Sequence, residues 1–336
     1  MIFKKLFKGL IKKIVQFLNW LFLGKSKQKN PPPTAPLNPQ IRTIGDRRSG
    51  KTTYIAALAY WPNAKPNSPV QTIEPIDDNA KKLIAKAQNI LEQGEEFQAT
   101  NLNDIDEVED YVLQISLKKE FTPRFLSSNQ DPSSSLTITI YCKDYSGEFF
   151  SDLINDPTRD ILEEYLEDCS QADGIILLID GTSFRRDRDF ARGIEEFFRR
   201  LDQIDETGTR KQRRVAMVLN KCEQPELWIQ SDEPRQLAES RFPKLLKALE
   251  NWEERGYIVV DYFAASAFGM LGSFKLEPNV RNITRDNLGV KSIIQKPKQW
   301  RPFGLVAPLY WLASGHRHPQ LELDALGVSP KGKRQR

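Results

Sequence analysis

Eight residues near position 50 combine glycine, lysine and threonine in an order suited to binding phosphate. Residues 45–52 read GDRRSGKT and fit the pattern G-x-x-x-x-G-K-[ST]. The two glycines let backbone N–H groups close around a phosphate group. In such a loop Lys51 reaches the β- and γ-phosphates, and the Thr52 hydroxyl ligates Mg²⁺. The predicted nucleoside triphosphate site therefore consists of Gly45, Asp46, Arg47, Arg48, Ser49, Gly50, Lys51, Thr52 and Thr53.

Three further groups of polar residues each follow a strand-like apolar run. They are residues 144–148 (DYSGE), 220–223 (NKCE) and 265–267 (ASA). At a strand end, Asp144 is placed to hold Mg²⁺ through water, and the N–H of Gly147 is placed to contact the γ-phosphate. A D-x-x-G group alone arises often by chance, so the order of the groups is more informative than any one of them.

The elements that must position these residues follow from hydrophobic periodicity. Residues 41–44 form a predicted strand and residues 53–59 a predicted helix, which is the strand–loop–helix setting that a phosphate loop requires. Residues 174–180 are an unbroken apolar run, typical of a buried parallel strand. Further predicted strands cover 111–118, 136–141, 215–219 and 257–260, and predicted helices cover 190–201 and 237–254, the latter broken near Pro243.

From about residue 41 to residue 270, this series of motifs resembles the P-loop GTPases of the Ras-like and translation-factor class. The resemblance implies an α/β, three-layer P-loop NTPase fold, with a mostly parallel sheet, one antiparallel strand and helical insertions. The antiparallel strand would come from the hairpin-like pair 111–118 and 136–141. A predicted inserted helix within residues 75–94, followed by a threonine loop, also resembles the bacterial double-GTPase-like proteins.

The resemblance assigns roles to the residues that would contact the nucleotide base. It implies that Asn220 braces the phosphate loop, that Lys221 lies over the base, and that the N–H groups of Ser266 and Ala267 meet the guanine oxygen. Glu223 stands where the class has an aspartate that accepts two hydrogen bonds from guanine. Glutamate offers the same two acceptor oxygens on a side chain that is one methylene longer. Guanine is therefore the expected base, and an ATPase of related fold stays open as an alternative.

The expected cofactors are GTP or GDP and Mg²⁺, with catalysis that departs from the class. Thr52, Asp144 and Thr100 are the predicted metal ligands, and Thr72 is the fallback for Thr100. Glu148 occupies the position of a water-orienting glutamine, and a carboxylate adds negative charge beside the transferring phosphate. The candidate catalytic residues are Lys51, Glu148 and Arg47. We expect slow GTP hydrolysis, and a nucleotide-dependent scaffold with little hydrolysis is the rival hypothesis.

Charge is divided unevenly along the 336 residues. Residues 1–30 hold eight lysines and no acid, and residues 331–336 carry a charge of +4. Because the whole chain is +4, residues 31–330 must carry −8. An acidic body with basic ends is unlike a nucleic-acid groove, so no nucleic-acid partner is expected. The absence of a CxxC pair and the presence of only two histidines argue against a disulfide framework and a zinc cluster.

Residues 1–24 predict a basic amphipathic helix that lies on an anionic membrane surface. Apolar side chains recur there every three or four residues, and the lysines lie mainly opposite. A helix docked on this protein or a partner, a spanning segment and a signal peptide are the alternatives. The predicted organisation is a helix at 1–24, a Pro-rich linker at 25–40, a GTPase-like domain at 41–315 and a basic tail at 316–336. The expected location is cytoplasmic, peripheral at the inner membrane face, with a protein effector or regulator as partner.

Two other segments have predicted structural roles. The charged run 185–189 (RRDRD) is most simply a solvated cluster, with a partner surface as the alternative. Residues 302–312 are apolar enough to pack on the domain as a closing helix. Residues 272–300 show no motif that indicates a function.

Overall fold

The structure is a computed structural model that describes most of the predicted domain. The described residues are 39–46, 49–64, 69–82, 84–85, 110–118, 137–143, 149–156, 160–206, 212–272, 277–286 and 289–321. The predicted amphipathic helix, nearly all of the linker and the basic tail beyond residue 321 lie outside them. Within the described ranges, none of the helices has the length and apolar character needed to cross a bilayer.

Strands and helices alternate along most of the described chain. The strands are β1 Gln40–Ile44, β2 Val70–Pro75, β3 Asp110–Leu117, β4 Thr137–Lys143, β5 Gly174–Asp180, β6 Arg213–Asn220, β7 Ile258–Ala264, β8 Met270–Leu271, β9 Glu277–Pro278, β10 Val280–Asp286 and β11 Gly289–Ile294. The helices are α1 Lys51–Ala64, α2 Phe149–Asn155, α3 Asp160–Ser170, α4 Asp187–Glu206, α5 Pro225–Trp228, α6 Pro234–Arg241, α7 Pro243–Glu254 and α8 Ala307–Ser314.

Seven strands form one sheet in the order β2-β3-β4-β1-β5-β6-β7. β1 is parallel to both β4 and β5, and β6 is parallel to β5 and β7. β3 runs antiparallel to both of its neighbours, β2 and β4. The predicted α/β fold, with a mostly parallel sheet and one antiparallel strand, is therefore confirmed. Because β1, β5, β6 and β7 are parallel, their carboxyl ends meet at one edge of the sheet.

Helices cover both faces of this sheet and give the three predicted layers. One buried apolar cluster joins the sheet to α1 and α8, and a second joins it to α2, α3, α4, α6 and α7. Phe197 and Phe198 of α4 are fully buried in the second cluster, as the apolar periodicity of 190–201 predicts. The predicted break near Pro243 separates α6 from α7, with the proline at the first helical position.

An extra strand extends the sheet where the sequence predicted none. β2 pairs antiparallel with β3, and Thr72 lies opposite Ser116. Three of the six β2 side chains are exposed, and the strand has no run of apolar residues that would reveal it. Two strands separate β2 from β1, and Thr72 therefore lies at the sheet edge, away from the phosphate loop.

The C-terminal part of the domain packs back on the sheet, but its helix starts later than predicted. α8 begins at Ala307 instead of residue 302, because residues 301–304 are used in contacts with the loop after β7. All residues of α8 are buried. Packing continues past the predicted domain end at residue 315. Arg317 makes a bidentate ion pair with Asp261, at 2.7 and 2.8 Å, and Leu321 is buried.

Candidate nucleotide-binding site

The phosphate loop connects the carboxyl end of β1 to the first turn of α1, and its glycines allow close approaches. Gly50 has a φ of +85°, and a Cβ there would lie 2.7 Å from Nδ2 of Asn220. A Cβ at Gly45 would overlap the carbonyl oxygen of Leu178 on β5. Both positions thus require glycine for steric reasons, and Gly50 also for its backbone conformation.

Lys51 places its ammonium group inside the curve of this loop. Its Nζ donates to the carbonyl oxygen of Gly45 at 2.9 Å and to that of Asp46 at 3.4 Å. The side chain is buried, and Thr52 and Thr53 follow it in the first turn of α1. A buried cation beside the N-terminus of a helix offers positive charge and N–H donors together. These residues therefore fit the phosphates of a nucleotide.

Two side chains at the end of β6 connect residues 220–223, here called the base motif, to the rest of the site. The Asn220 amide Nδ2 donates to the carbonyl oxygen of Ser49 at 2.9 Å and so braces the phosphate loop. Lys221 has a φ of 63° and is the non-glycine residue with positive φ in the described ranges. Its Nζ lies 2.6 Å from Oδ2 of Asp180 at the end of β5. The position of Lys221 over a base stays a prediction.

Glu223 and Ser266 form a buried hydrogen-bonded pair at the expected base site. The Ser266 hydroxyl donates to Oε2 of Glu223 at 2.5 Å and accepts from the N–H of Gly269 at 2.8 Å. Glu223 is 2% exposed, and this burial raises the pKa of its carboxyl group. The serine hydroxyl acts in the opposite direction on the pKa but is the smaller effect.

The backbone of residues 265–267, here called the base loop, differs from the prediction at one position. The N–H of Ser266 donates to the carbonyl oxygen of Phe303 at 3.0 Å, and the N–H of Phe303 donates back to Ser266 at 3.0 Å. The prediction that the Ser266 N–H meets the guanine oxygen is therefore wrong for this conformation. The same role for the N–H of Ala267 stays a prediction. The carbonyl oxygen of Ala267 accepts a hydrogen bond from the indole N–H of Trp300 at 2.7 Å.

The connection between β5 and α4 contacts the phosphate loop, whereas the sequence predicted a solvated charge cluster, with a partner surface as the alternative. Arg186 forms an ion pair with the buried carboxylate of Asp46 in the phosphate loop. Asp187 accepts hydrogen bonds from the backbone N–H groups of Lys244 and Leu245, at 3.0 and 2.9 Å, at the start of α7. No local pattern in the sequence signals either contact, because the partners lie far apart along the chain.

Several predicted residues lie outside the described residues. They are Arg47, Arg48, Thr100, Asp144, Gly147 and Glu148. Thr52 is the predicted metal ligand that the structure describes. In the described part of the chain, no group of three His, Cys, Asp or Glu side chains is arranged to hold a metal ion. The Mg²⁺ site and the hydrolytic residues therefore stay predictions from the sequence.

The sheet order, the phosphate loop after β1 and the polar groups after β6 and β7 define the class of this protein. It is a P-loop GTPase, and its nucleotide site lies at the carboxyl edge of the parallel strands. The family model Double-GTPase 2 matches residues 94–268, more than half of the chain. The chain thus belongs to the Double-GTPase 2 family and is a GTP-binding protein. The phosphate loop itself precedes the matched region.

Solved structures with weak similarity include three GTPase-related chains. An ADP-ribosylation-factor-like small COPII coat GTPase SAR1 from Encephalitozoon cuniculi, in complex with GDP, is 14% identical, with 78% of this chain and 82% of that chain covered and a TM-score of 0.27. A signal recognition particle receptor SRb-GTP/SRX complex from Chaetomium thermophilum is 13% identical, with 69% and 94% covered and a TM-score of 0.37. The Ski7 GTPase-like domain of S. cerevisiae, bound to GDP and inorganic phosphate, is 16% identical, with 69% and 44% covered and a TM-score of 0.33. The comparison with curated proteins found no match.

Proposed function

We propose that this protein is a membrane-associated switch that binds GTP and GDP with Mg²⁺ and hydrolyses GTP slowly. One observation carries the guanine assignment: Asn220 bonds the phosphate loop to the strand end that bears Glu223. The phosphate site and the base site are thereby held at a fixed separation. Glu223 supplies a carboxylate acceptor and Ala267 a backbone donor, a pairing that suits the amino and carbonyl groups of guanine. Adenine carries an amino group where guanine has its carbonyl oxygen.

Slow hydrolysis is proposed from the sequence of the catalytic segment. Mg²⁺ neutralises phosphate charge when bound, and Thr52, Asp144 and Thr100 are the residues that would hold it. Lys51 would bind the β- and γ-phosphates. The carboxylate of Glu148 cannot donate a hydrogen bond to the transferring phosphate, so water is oriented less effectively. This residue also favours the rival function, a scaffold that binds GTP without turnover. Single-turnover GTP cleavage with and without cell extract separates the two.

Competition between nucleotides is the direct test of the base assignment. A fluorescent guanine diphosphate is bound to the full chain with Mg²⁺ and then displaced by unlabelled nucleotides. We expect GDP and GTP to displace it at similar concentrations, and ATP to require at least about a hundredfold more, because a lost pair of charged hydrogen bonds costs about 3 kcal/mol. Displacement by ATP at the concentration of GTP would contradict the guanine assignment and favour the ATPase alternative.

Membrane association is proposed from the composition of residues 1–24. The full chain is sedimented with vesicles of anionic or neutral lipid at physiological salt, beside a chain that starts at Pro31. We expect only the full chain to bind, and only to anionic vesicles, since the lysines add about 1 kcal/mol each near such a surface. A matched variant replaces Lys4, Lys5, Lys8 and Lys12 with glutamine and keeps the apolar face. Equal sedimentation of the full and shortened chains would refute the membrane proposal.

The partners of this switch are proposed from the distribution of charge along the chain. An acidic folded body and a basic arm favour a protein effector or regulator, and they do not favour nucleic acid. The corresponding location is the cytoplasmic face of the inner membrane.

A further inference from the structure

Two ion pairs connect the segment between β5 and α4 to the two halves of the nucleotide site. Asp180, at the end of β5, pairs with Lys221 of the base motif at 2.6 Å. Arg186, in the 3₁₀ turn Phe184–Arg186, pairs with Asp46 of the phosphate loop. Asp46, Ser49, Asp180 and Arg186 are among the residues that line a cavity of about 240 Å³. The charges of the two motifs are thus compensated through one short connection.

The buried carboxylate of Asp46 places a negative charge in a loop that must bind phosphate. The side chain is 3% exposed, so solvent screens its charge poorly. A buried carboxylate without a cationic partner is strongly unfavourable. Its negative charge would also repel a phosphate group bound by the neighbouring backbone N–H groups and by Lys51. Phosphate binding therefore requires that this charge be neutralised.

Arg186 is held in position to provide the neutralising charge. Its guanidinium lies over the ring of Phe190, 5.0 Å from the ring centroid, and Phe190 is buried in α4. The next residue, Asp187, is anchored to the N-terminus of α7 by the two hydrogen bonds described above. The arginine is thus fixed from both sides, which reduces the entropy that is lost when it pairs with Asp46.

We propose that Arg186 is a positioning residue for nucleotide phosphates and acts through Asp46. By pairing with that carboxylate it makes the phosphate loop electrostatically able to accept the diphosphate of a nucleotide. Arg186 need not touch the nucleotide itself. The inference deepens the proposed function and rests on it, because it assumes that GDP and GTP occupy this loop.

The test combines loss of the arginine with removal of the carboxylate charge. In the full chain, Arg186→Gln should weaken GDP binding by about tenfold or more, since one unscreened charge then faces the phosphates. Adding Asp46→Asn to that variant should restore binding to within about threefold of the wild type, because the uncompensated charge is gone. Arg186→Lys should keep most of the affinity. Arg185→Gln removes an exposed arginine from the same turn and serves as the matched control with unchanged affinity.

The rescue distinguishes an electrostatic role from loss of packing or of a direct contact. Failure of Asp46→Asn to restore GDP affinity in the Arg186→Gln background would overturn the proposal, as would unchanged affinity of Arg186→Gln alone. Melting temperatures report whether each variant is folded. Should Arg186→Gln not fold, Asp46→Asn alone decides: unchanged or tighter GDP binding supports the proposal, and weaker binding overturns it. Absence of GDP binding by the wild type would instead reject the proposed function.

Discussion

Replacement of Glu223 by glutamine is expected to raise the melting temperature of the nucleotide-free protein at neutral pH by about 2–6 °C. Burial raises the pKa of this carboxyl group in the folded state, so the folded protein binds its proton more tightly than the unfolded chain does. The stability contribution of Glu223 is therefore most favourable below the ordinary glutamate pKa. It is lost as the pH rises from that value towards the raised pKa. Glutamine does not titrate, so the stability of the Glu223→Gln variant lacks this dependence on pH.

Melting curves measured across pH test the sign of this effect. The difference in melting temperature between Glu223→Gln and the wild type should be near zero at about pH 4 and should grow as the pH rises. Glu226→Gln changes an exposed glutamate in the same region and should show no such trend. A less stable Glu223→Gln variant at pH 7 without nucleotide would contradict the argument.

The same substitution should have the opposite effect on guanine binding. An amide replaces one acceptor oxygen with an N–H₂ donor, which faces the amino group of guanine instead of accepting from it. We expect GDP affinity to fall about tenfold to a hundredfold, as for loss of one or two charged hydrogen bonds. The hydrogen bond from Ser266 survives on the remaining amide oxygen. Unchanged GDP affinity in a titration would show that Glu223 does not receive the base.

Alanine at Gly304 is expected to destabilise the protein by about 3 kcal/mol or more. Gly304 has a φ of +69°, and an added Cβ would overlap the carbonyl oxygen of Ala264 at the end of β7. The obstacle is backbone within the sheet, so neither side can move without loss of packing. The neighbouring bridge between Phe303 and Ser266 should be disturbed as well. We therefore expect a lower melting temperature and weaker GDP binding together.

Gly256 provides a matched control for the backbone conformation alone. Its φ is +73°, close to that of Gly304, but an added Cβ would meet nothing within 4 Å. Alanine there should cost only the strain of the left-handed conformation, about 1–2 kcal/mol. Equal losses of stability at the two glycines, measured by denaturant unfolding, would show that the close approach to Ala264 is unimportant.

The sequence predicts the centre of this fold well because strand burial and motif chemistry reinforce each other there. β5 has the predicted bounds, since an unbroken apolar run between polar residues leaves little choice of register. The phosphate loop is likewise placed correctly between β1 and α1, because two glycines and a lysine at fixed spacing suit few other conformations.

The errors occur where a residue's partner is distant in sequence. Arg186 appears in the sequence as one of five consecutive charged residues, and only the fold brings it to Asp46. The N–H of Ser266 is bonded to Phe303, which lies in the segment predicted as a closing helix. The sequence does not predict β2 for a different reason. An edge strand with several exposed side chains shows no clear alternation of apolar and polar residues. Local patterns contain no information about such pairings.

The contacts of residues 300–305 have a consequence for the order in which the site is completed during synthesis. Phe303 pairs with the base loop at Ser266, and the Leu305 carbonyl oxygen accepts a hydrogen bond at 2.6 Å from Tyr54 in the helix after the phosphate loop. A ribosome makes the chain from its N-terminus, so both loops emerge long before the segment that joins them. Until residue 305 has been synthesised and released from the exit tunnel, the nascent chain lacks the last contacts on either side of its nucleotide site.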